Sequence, residues 1–425
     1  MNLTRRSALL SSAGVCALLG LPSLAATPSN RNLIIIHANG GWDTSYGVDP
    51  KIDNPLVEGP EVDVGGANEA VQTFSGIPIA VNPVLRPSVN QFFNALASDT
   101  LVVNGIDVGT VAHEVGRIRI LTGTRANTSP DIAAIVGATH GDAVAVPYFD
   151  LGGSGFSGEL AAASGRVGAV NQLKQLLDPT SLRRAGFPTD HDYPLYAPTS
   201  DAQSAIDAYL QGRIDAFRTQ VGDQGRHNDL RLDAMGESLG RSAQLRGDGA
   251  TLAQRLQFGR TLGLEAQAAL AVDLLSLGLS RAVMINDGLQ WDTHDGNPDQ
   301  SPKHEVLFSS LLQLANGLKG AGLYQDTVVV VVSELGRTPR RNTENGKDHW
   351  PVTSALLFGG PVRGGRVIGG TTDEVEAIPV DLETGAPDAS GWLITHERLT
   401  AGLLELLDVD PKRWLPDAAV LRALV

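Results

Sequence analysis

Thr327-Val328-Val329-Val330-Val331-Val332-Ser333-Glu334-Leu335-Gly336-Arg337-Thr338 is the stretch that decides the fold. Its five consecutive valines show no alternation of apolar and polar residues, so both faces of the segment have to be buried, the pattern of a central parallel strand. In an open α/β sheet, ligands bind beyond the carboxyl ends of the strands, where loops and helix starts converge. The polar run from Ser333 to Thr338 is therefore the first place to look for chemistry.

Working outward, Leu307, Leu311, Leu314 and Leu318 repeat at helical spacing before the valines, and Gly320 and Gly322 close that segment. Leu399, Leu403, Leu406 and Leu407 make a second such stripe. Other β-rich runs lie at 33–37, 100–103, 143–146, 282–285 and 355–358. Strands alternating with helices predict an α/β class: a mostly parallel sheet covered by helices on both faces. From about 164 to 279 strand signals vanish, and helices are expected at 203–218, 228–245 and 251–277, a helical insertion or lid on the α/β body.

The 425 residues are 42% hydrophobic, enough for one large core or two modest ones. The formal charge of −14, from 33 basic and 47 acidic residues, is spread along the chain and argues against nucleic acid as a partner. Thr4-Arg5-Arg6, the apolar stretch 8–21 and the small-residue exit Pro22-Ser23-Leu24-Ala25-Ala26 have the order of a twin-arginine signal peptide over residues 1–26. The expectation is export by the twin-arginine machinery, leaving 27–425 as a periplasmic or secreted α/β domain. The apolar stretch is shorter than the roughly 20 residues a membrane span needs, and no longer one follows. Loss of Arg5 and Arg6 leaves 31 basic against 47 acidic residues, a charge of −16. It also removes Cys16, the one cysteine, so disulfides, thiolate zinc sites and cysteine nucleophiles are excluded.

The residues after each expected strand form a set. Asn39-Gly40-Gly41-Trp42-Asp43 follows the first, Asn104 to Asp107 and then His113 to Gly123 the second, and Trp291-Asp292-Thr293-His294 comes a little after 282–285. Glu334 follows the valines, with Asp348-His349 beyond it. Asp292 and His294, two apart, point to the same side of an extended segment. Together with Asp43, Glu334, Asp348 and His349 they make an oxygen-rich set with two imidazoles. That suits a divalent metal, zinc or manganese before calcium, because so many carboxylates in one cleft need neutralising. Each alone has a plain structural reading as a turn cap, a satisfied strand-end acid or a solvent loop. His37 reads as a core histidine, His140, His191 and His227 as structural, His396 as capping context, and His304 as either a cap or a further ligand.

The runs Trp291 to His294, Ser333 to Thr338, Gly346-Lys347-Asp348-His349, Gly359-Gly360 to Gly364-Gly365 and Thr372-Asp373-Glu374 resemble the bacterial secreted family called domain of unknown function 1501, a branch of the alkaline phosphatase and sulfatase superfamily. The resemblance implies an alkaline-phosphatase-like fold from about Asn32 onward and a metal-dependent hydrolase of a phosphate or related ester, acting on an anionic small molecule or polymer. It places Asp43 at the first-strand metal aspartate, Asp292 and His294 at the middle ligands, and Ser333-Glu334-Leu335-Gly336 where the superfamily has Ser-Asp-His-Gly, with His349 supplying the missing imidazole. His113, Arg117 and Leu121-Thr122-Gly123 fall in the nucleophile register, so a histidine stands where Cys or Ser is usual and sulfatase chemistry is disfavoured. His113 is then a nucleophile, a metal ligand or a general acid. A helix start and nearby cations would favour its neutral form. Arg117 and Arg337 either hold a tetrahedral anion or pair with the excess acids. The competing function is a non-catalytic binding or assembly protein that keeps the fold.

Overall fold

The computed structural model describes residues 29–63, 68–142, 144–166, 199–221, 226–247 and 262–425, so the expected signal peptide and His191 lie outside the described residues. Two compact units divide the chain. One takes in residues 196–243 with the N-terminal residues, and what is described of it is helical: α4 (Ser200–Val221) and most of α5 (Arg226–Gly247). The other, residues 30–195 and 244–425, carries the sheet.

In the second unit the strands are β1 (Asn32–His37), β2 (Ala70–Phe74), β3 (Ile77–Val81), β4 (Thr100–Asp107), β5 (Tyr148–Asp150), β6 (Ser164–Arg166), β7 (Ala282–Asn286), β8 (Thr327–Val332), β9 (Gly336–Arg337), β10 (His349–Trp350), β11 (Val352–Phe358), β12 (Arg366–Gly369) and β13 (Ile394–Thr395). Nine of them form one sheet in the order β12-β4-β11-β8-β1-β7-β5-β6, with β13 on β4. Its pairs are parallel except those of β11, which runs against both β4 and β8. The sheet is thus mixed and mostly parallel. Because β4 and β8 are both antiparallel to β11, they run together, and β1, β4, β7 and β8 all end on one edge.

The valine strand lies between β1 and β11 and is wholly buried. Val329 and Val331 enter one hydrophobic cluster, and Val328, Val330 and Val332 the other. That division explains the missing alternation: each valine meets a covered face, and burying one contributes about 1.5–3 kcal/mol. The first face is covered by α1 (Pro87–Leu96), α6 (Leu264–Ser276) and α7 (Gln300–Gly320), which contribute Phe92, Leu270 and all four leucines of the 307–318 stripe. The second is covered by α2 (His113–Thr122), α3 (Ile132–His140) and α8 (His396–Leu406), with Ile120, Ile135 and Leu403.

One expected strand is displaced. Of the run 143–146, the described residues 144–146 lie outside any strand; the strand begins at Tyr148, after Pro147, which has no N–H to give a ladder. Val144, Ala145 and Val146 are buried all the same, which is why their composition reads as strand.

Candidate metal and catalytic site

The polar groups gather where the parallel strands end. His37 closes β1, and its pairing opposite Val332 brings the start of the Ser333–Thr338 run alongside. His113 opens α2, and Gly116 lets that helix lie directly on the Glu334 backbone: a Cβ there would stand 2.7 Å from the Glu334 carbonyl oxygen. Gly40, at φ +117°, does the same for the 291–294 segment, since its Cβ would meet the Asp292 amide nitrogen at 2.6 Å. Asp292 and His294 are carried past β1 by that close approach, while β10 presents His349.

Three atoms converge. His294 Nε2 and His349 Nε2 are 2.9 Å apart, and Asp292 Oδ1 lies 3.1 Å from the first and 3.2 Å from the second. The outer nitrogens are engaged as well. His349 Nδ1 donates to the Val111 carbonyl at 2.7 Å, and His294 Nδ1 to Asp348 Oδ1 at 3.1 Å. A carbonyl can only accept, and hydrogen bonds from Asn342 and His294 hold the Asp348 carboxyl below its usual range, so it too accepts. Both rings therefore carry a proton on Nδ1 and turn Nε2, the atom that a neutral ring offers as a lone pair, inward. Burial, the largest influence on His349, lowers its pKa and favours that neutral form. Two lone pairs and a carboxylate oxygen at such separations repel one another unless a proton or a cation lies between them.

A divalent ion fits that triangle. Its edges are short enough for one ion at roughly 2.0–2.1 Å to reach all three atoms, two imidazoles and a carboxylate suit zinc, and each histidine has the outer hydrogen bond that ligating histidines make. His113 stands at the rim. Its Nε2 lies 3.5 Å from Asp292 Oδ2, and His113, Asp292 and His349 offer ligand atoms that all lie within 4.8 Å of one another, a second trio able to hold an ion. That nitrogen makes no hydrogen bond, while Nδ1 binds Glu334 Oε1 at 2.7 Å.

The electrostatics follow from burial and pairing. The Glu334 bond raises the His113 pKa against the opposing effect of burial, so the expectation that the helix start favours a neutral ring is corrected: a buried carboxylate in contact outweighs a helix dipole. Glu334 is fully buried, which alone would raise its pKa, yet bonds from His113 and His37 hold it well below the usual range. Burial likewise works to raise Asp292, but the Arg337 hydrogen bond and charge lower it.

The remaining expected residues are placed otherwise. Asp43 is buried and bound to Lys347 Nζ at 2.7 Å, Asn297 Nδ2 at 2.8 Å and Ser45 Oγ at 2.7 Å, so a chain cation already neutralises it. Glu334 spends its oxygens on His113, His37 and the Gly40 amide, and Asp348 supports His294 from outside the triangle. Arg337 is buried, and its guanidinium donates to the Gly40, Gly41 and Lys347 carbonyls and to Asp292 Oδ1. With all but one of its N–H groups used in this way, it orients Asp292 and has no fork left for a substrate anion. Arg117 pairs with Glu114 at 2.8 Å and lies over the Phe156 ring at 5.0 Å.

His304 is enclosed by Trp42, Trp291 and Phe308, and burial pushes its pKa down to about 3. His140 bonds the Leu407 carbonyl, and His396 begins α8 behind the Thr395 cap. The sequence reading missed His37 and Ser154 as polar participants: the His37 ring bonds Glu334 Oε2 at 3.0 Å and Ser154 Oγ at 3.1 Å. It also passed over Lys347. A cavity of ≈ 600 Å³ opens beside Asp292, lined by Asn39, Gly40, Asp295, Asp299 and Lys303 among others.

Fold and cluster together define an α/β protein with a histidine–carboxylate centre at its strand ends. The chain belongs to the family described as Protein of unknown function (DUF1501), whose pattern matches residues 30–412. No curated protein matches it. Solved structures similar to it include Ps i-CgsB in complex with k-i-k-neocarrahexaose, at 11% identity and TM-score 0.42 over 92% of this chain and 75% of that one. A protein in the alkaline phosphatase superfamily from Vibrio parahaemolyticus matches at 11% and 0.38, over 90% and 68% of the two chains. The phosphonate monoester hydrolase of Agrobacterium radiobacter matches at 12% and 0.37, over 93% and 77%. Likeness this loose assigns no residue a role.

Proposed function

We propose that this protein is an exported metal-dependent hydrolase of a phosphate or related ester, with Asp292, His294 and His349 as the metal ligands and His113 as the proton-transferring group beside them. The observation that carries the reading is the triangle of two inward Nε2 atoms and one carboxylate oxygen, with a fourth nitrogen, His113 Nε2, unbonded at its rim. Three protein ligands with room for a fourth is the arrangement of catalytic rather than structural zinc. A bound ion would supply a positive charge to the ester oxygens and acidify water.

The chain's own residues supply the rest. Asp348 and the Val111 carbonyl fix the two ligand rings, and Arg337 fixes Asp292. Glu334 holds His113 by Nδ1, leaving Nε2 to take or give a proton at the open side of the cluster. The cavity beside Asp292 is where the substrate enters, and its Asp292, Asp295 and Asp299, against Lys303 as the one cation lining it among the described residues, favour a singly charged ester over a polyanion.

Purified protein stripped of metal and reloaded with zinc or manganese should hydrolyse a member of a phosphomonoester and phosphodiester panel, and stripped protein should not. Metal bound tightly with no turnover across that panel would favour a binding protein. Among the described residues no helix is long and apolar enough to cross a membrane. Export rests on Arg5-Arg6 and the apolar stretch after them. Replacing both arginines with lysine should trap an uncleaved precursor inside the cell, and unchanged export would refute the route.

A further inference from the structure

Behind His113 a chain of buried hydrogen bonds runs across four neighbouring strands. Glu334 follows β8, His37 ends β1, Asn286 ends β7 and Ser154 follows β5, and these strands are adjacent in that order in the sheet. Asn286 Nδ2 donates to Ser154 Oγ at 2.8 Å. Ser154 Oγ meets His37 Nδ1 at 3.1 Å, His37 Nε2 meets Glu334 Oε2 at 3.0 Å, and Glu334 Oε1 meets His113 Nδ1 at 2.7 Å. Ser154, His37 and Glu334 are all but sealed from solvent.

The direction of each bond can be worked out from its ends. An amide NH₂ can only donate, so the Ser154 oxygen receives from Asn286 and its own hydrogen needs an acceptor. His37 Nδ1 is the acceptor in contact. With its lone pair on Nδ1, the ring carries hydrogen on Nε2 and donates to Glu334. Glu334, also receiving the Gly40 amide at 2.8 Å, has only acceptor roles left and takes the Nδ1 hydrogen of His113. The order ends with hydrogen on His113 Nδ1, so that in the neutral ring the bare nitrogen is Nε2, on the side of Asp292. Hydrogen on both nitrogens of His37 would leave the Ser154 hydroxyl with no acceptor among its described contacts, a cost of about 1–3 kcal/mol for a buried group.

We infer that His37 and Ser154 are positioning residues: they lock Glu334 in the one orientation that presents the Nε2 lone pair of His113 to the substrate. The inference deepens the hydrolase reading and rests on it for catalysis, while the proton order itself does not. Because His37 lies a full residue behind the site, it acts through Glu334 and touches no reacting atom.

The test uses the mature chain, 27–425, with nitrogen-15 imidazole spectra of metal-free protein and steady-state kinetics of zinc-loaded protein on a hydrolysed phosphoester. At a pH above the His113 midpoint, wild type should show the neutral ring with hydrogen on Nδ1 and a bare Nε2. His37→Phe removes both bonds of the ring; it should mix the two His113 tautomers and lower kcat roughly tenfold to a hundredfold at little change in KM, the scale of outer-shell substitutions. His37→Gln, whose amide can donate to Glu334 and accept from Ser154, should restore both readouts. A merely structural role predicts loss of folded protein in His37→Phe, with normal kcat in what remains. If His37→Phe does not fold, Ser154→Ala removes only the last link and should still mix the tautomers. A single unchanged His113 tautomer in whichever variant folds overturns the inference. Wild type without zinc binding or turnover would sink the hydrolase reading, and the spectra would still decide the proton order.

Discussion

Two polar regions of the sheet-bearing unit lie at the same strand ends and hold acids of the same kind, yet they differ in what neutralises them. Around Asp43 the chain brings its own cation: Lys347 is 2.7 Å away and buried, and Asn297 and Ser45 take up the remaining capacity. Around Asp292 the chain brings Arg337 from behind and two imidazoles whose Nε2 atoms face inward. The first region is complete as it stands. The second leaves two ring nitrogens and a carboxylate oxygen facing one another, to be joined by a proton or a cation. Arg337 reaches Asp292 from one side and leaves its Oδ1 facing two ring nitrogens, whereas Lys347, Asn297 and Ser45 together occupy Asp43, and on that difference we propose that the Asp43 region is structural.

The largest effect expected from this contrast is on folding. Lys347→Met leaves Asp43 charged and buried without its partner, which costs about 3–5 kcal/mol and should appear as a lowered denaturation midpoint, with zinc stoichiometry of the folded fraction unchanged. The pH profile carries the same signature. Burial alone would raise Asp43, but Lys347 holds its pKa below 3.8, so the pair's contribution is present above the unfolded value and lost as pH falls through the folded one. The variant should lack that acid limb. Equal zinc loss in Lys347→Met would merge the two regions and break the comparison.

Next comes His113→Ala, expected to lower kcat on the order of a hundredfold while leaving bound zinc in place. With Glu334 raising its pKa above the ordinary 6.5, neutral His113 prevails only at higher pH. Turnover that uses it as a base should rise through a midpoint above that value, and Glu334→Gln should move the midpoint down. Zinc lost in proportion to activity would instead make His113 a ligand. Asp348→Ala should have the smallest effect, weakening zinc binding roughly tenfold to a hundredfold, because the residue orients His294 from an exposed position. No change would show that the Nδ1 bond leaves the ring free.

Some of this was legible in the sequence and some was not, for identifiable reasons. The valine strand and the leucine stripe of α7 could be read because burial on two faces, or on one helical face, writes itself as periodicity. β2 and β3 escaped because four of the five residues of β2 are exposed and carry no such pattern; Ser75 at φ 48° and Gly76 at φ 94° turn the chain between them. Glu334, Asp292 and His349 could be found as polar residues after strands. The contacts that set them apart could not, because these depend on Lys347 and Arg337 reaching particular oxygens. His37 looked like a core histidine since it ends an apolar strand, and it is buried; only strand pairing shows that its ring lies against Glu334.

The measurement that tests the central claim most directly is anomalous diffraction at the zinc edge from crystals of the zinc-loaded protein. The account predicts one dominant peak within about 2.0–2.2 Å of His294 Nε2, His349 Nε2 and an Asp292 oxygen, with the Lys347 pair to Asp43 intact. A peak coordinated by Asp43, or none in the His294–His349–Asp292 triangle, would contradict it.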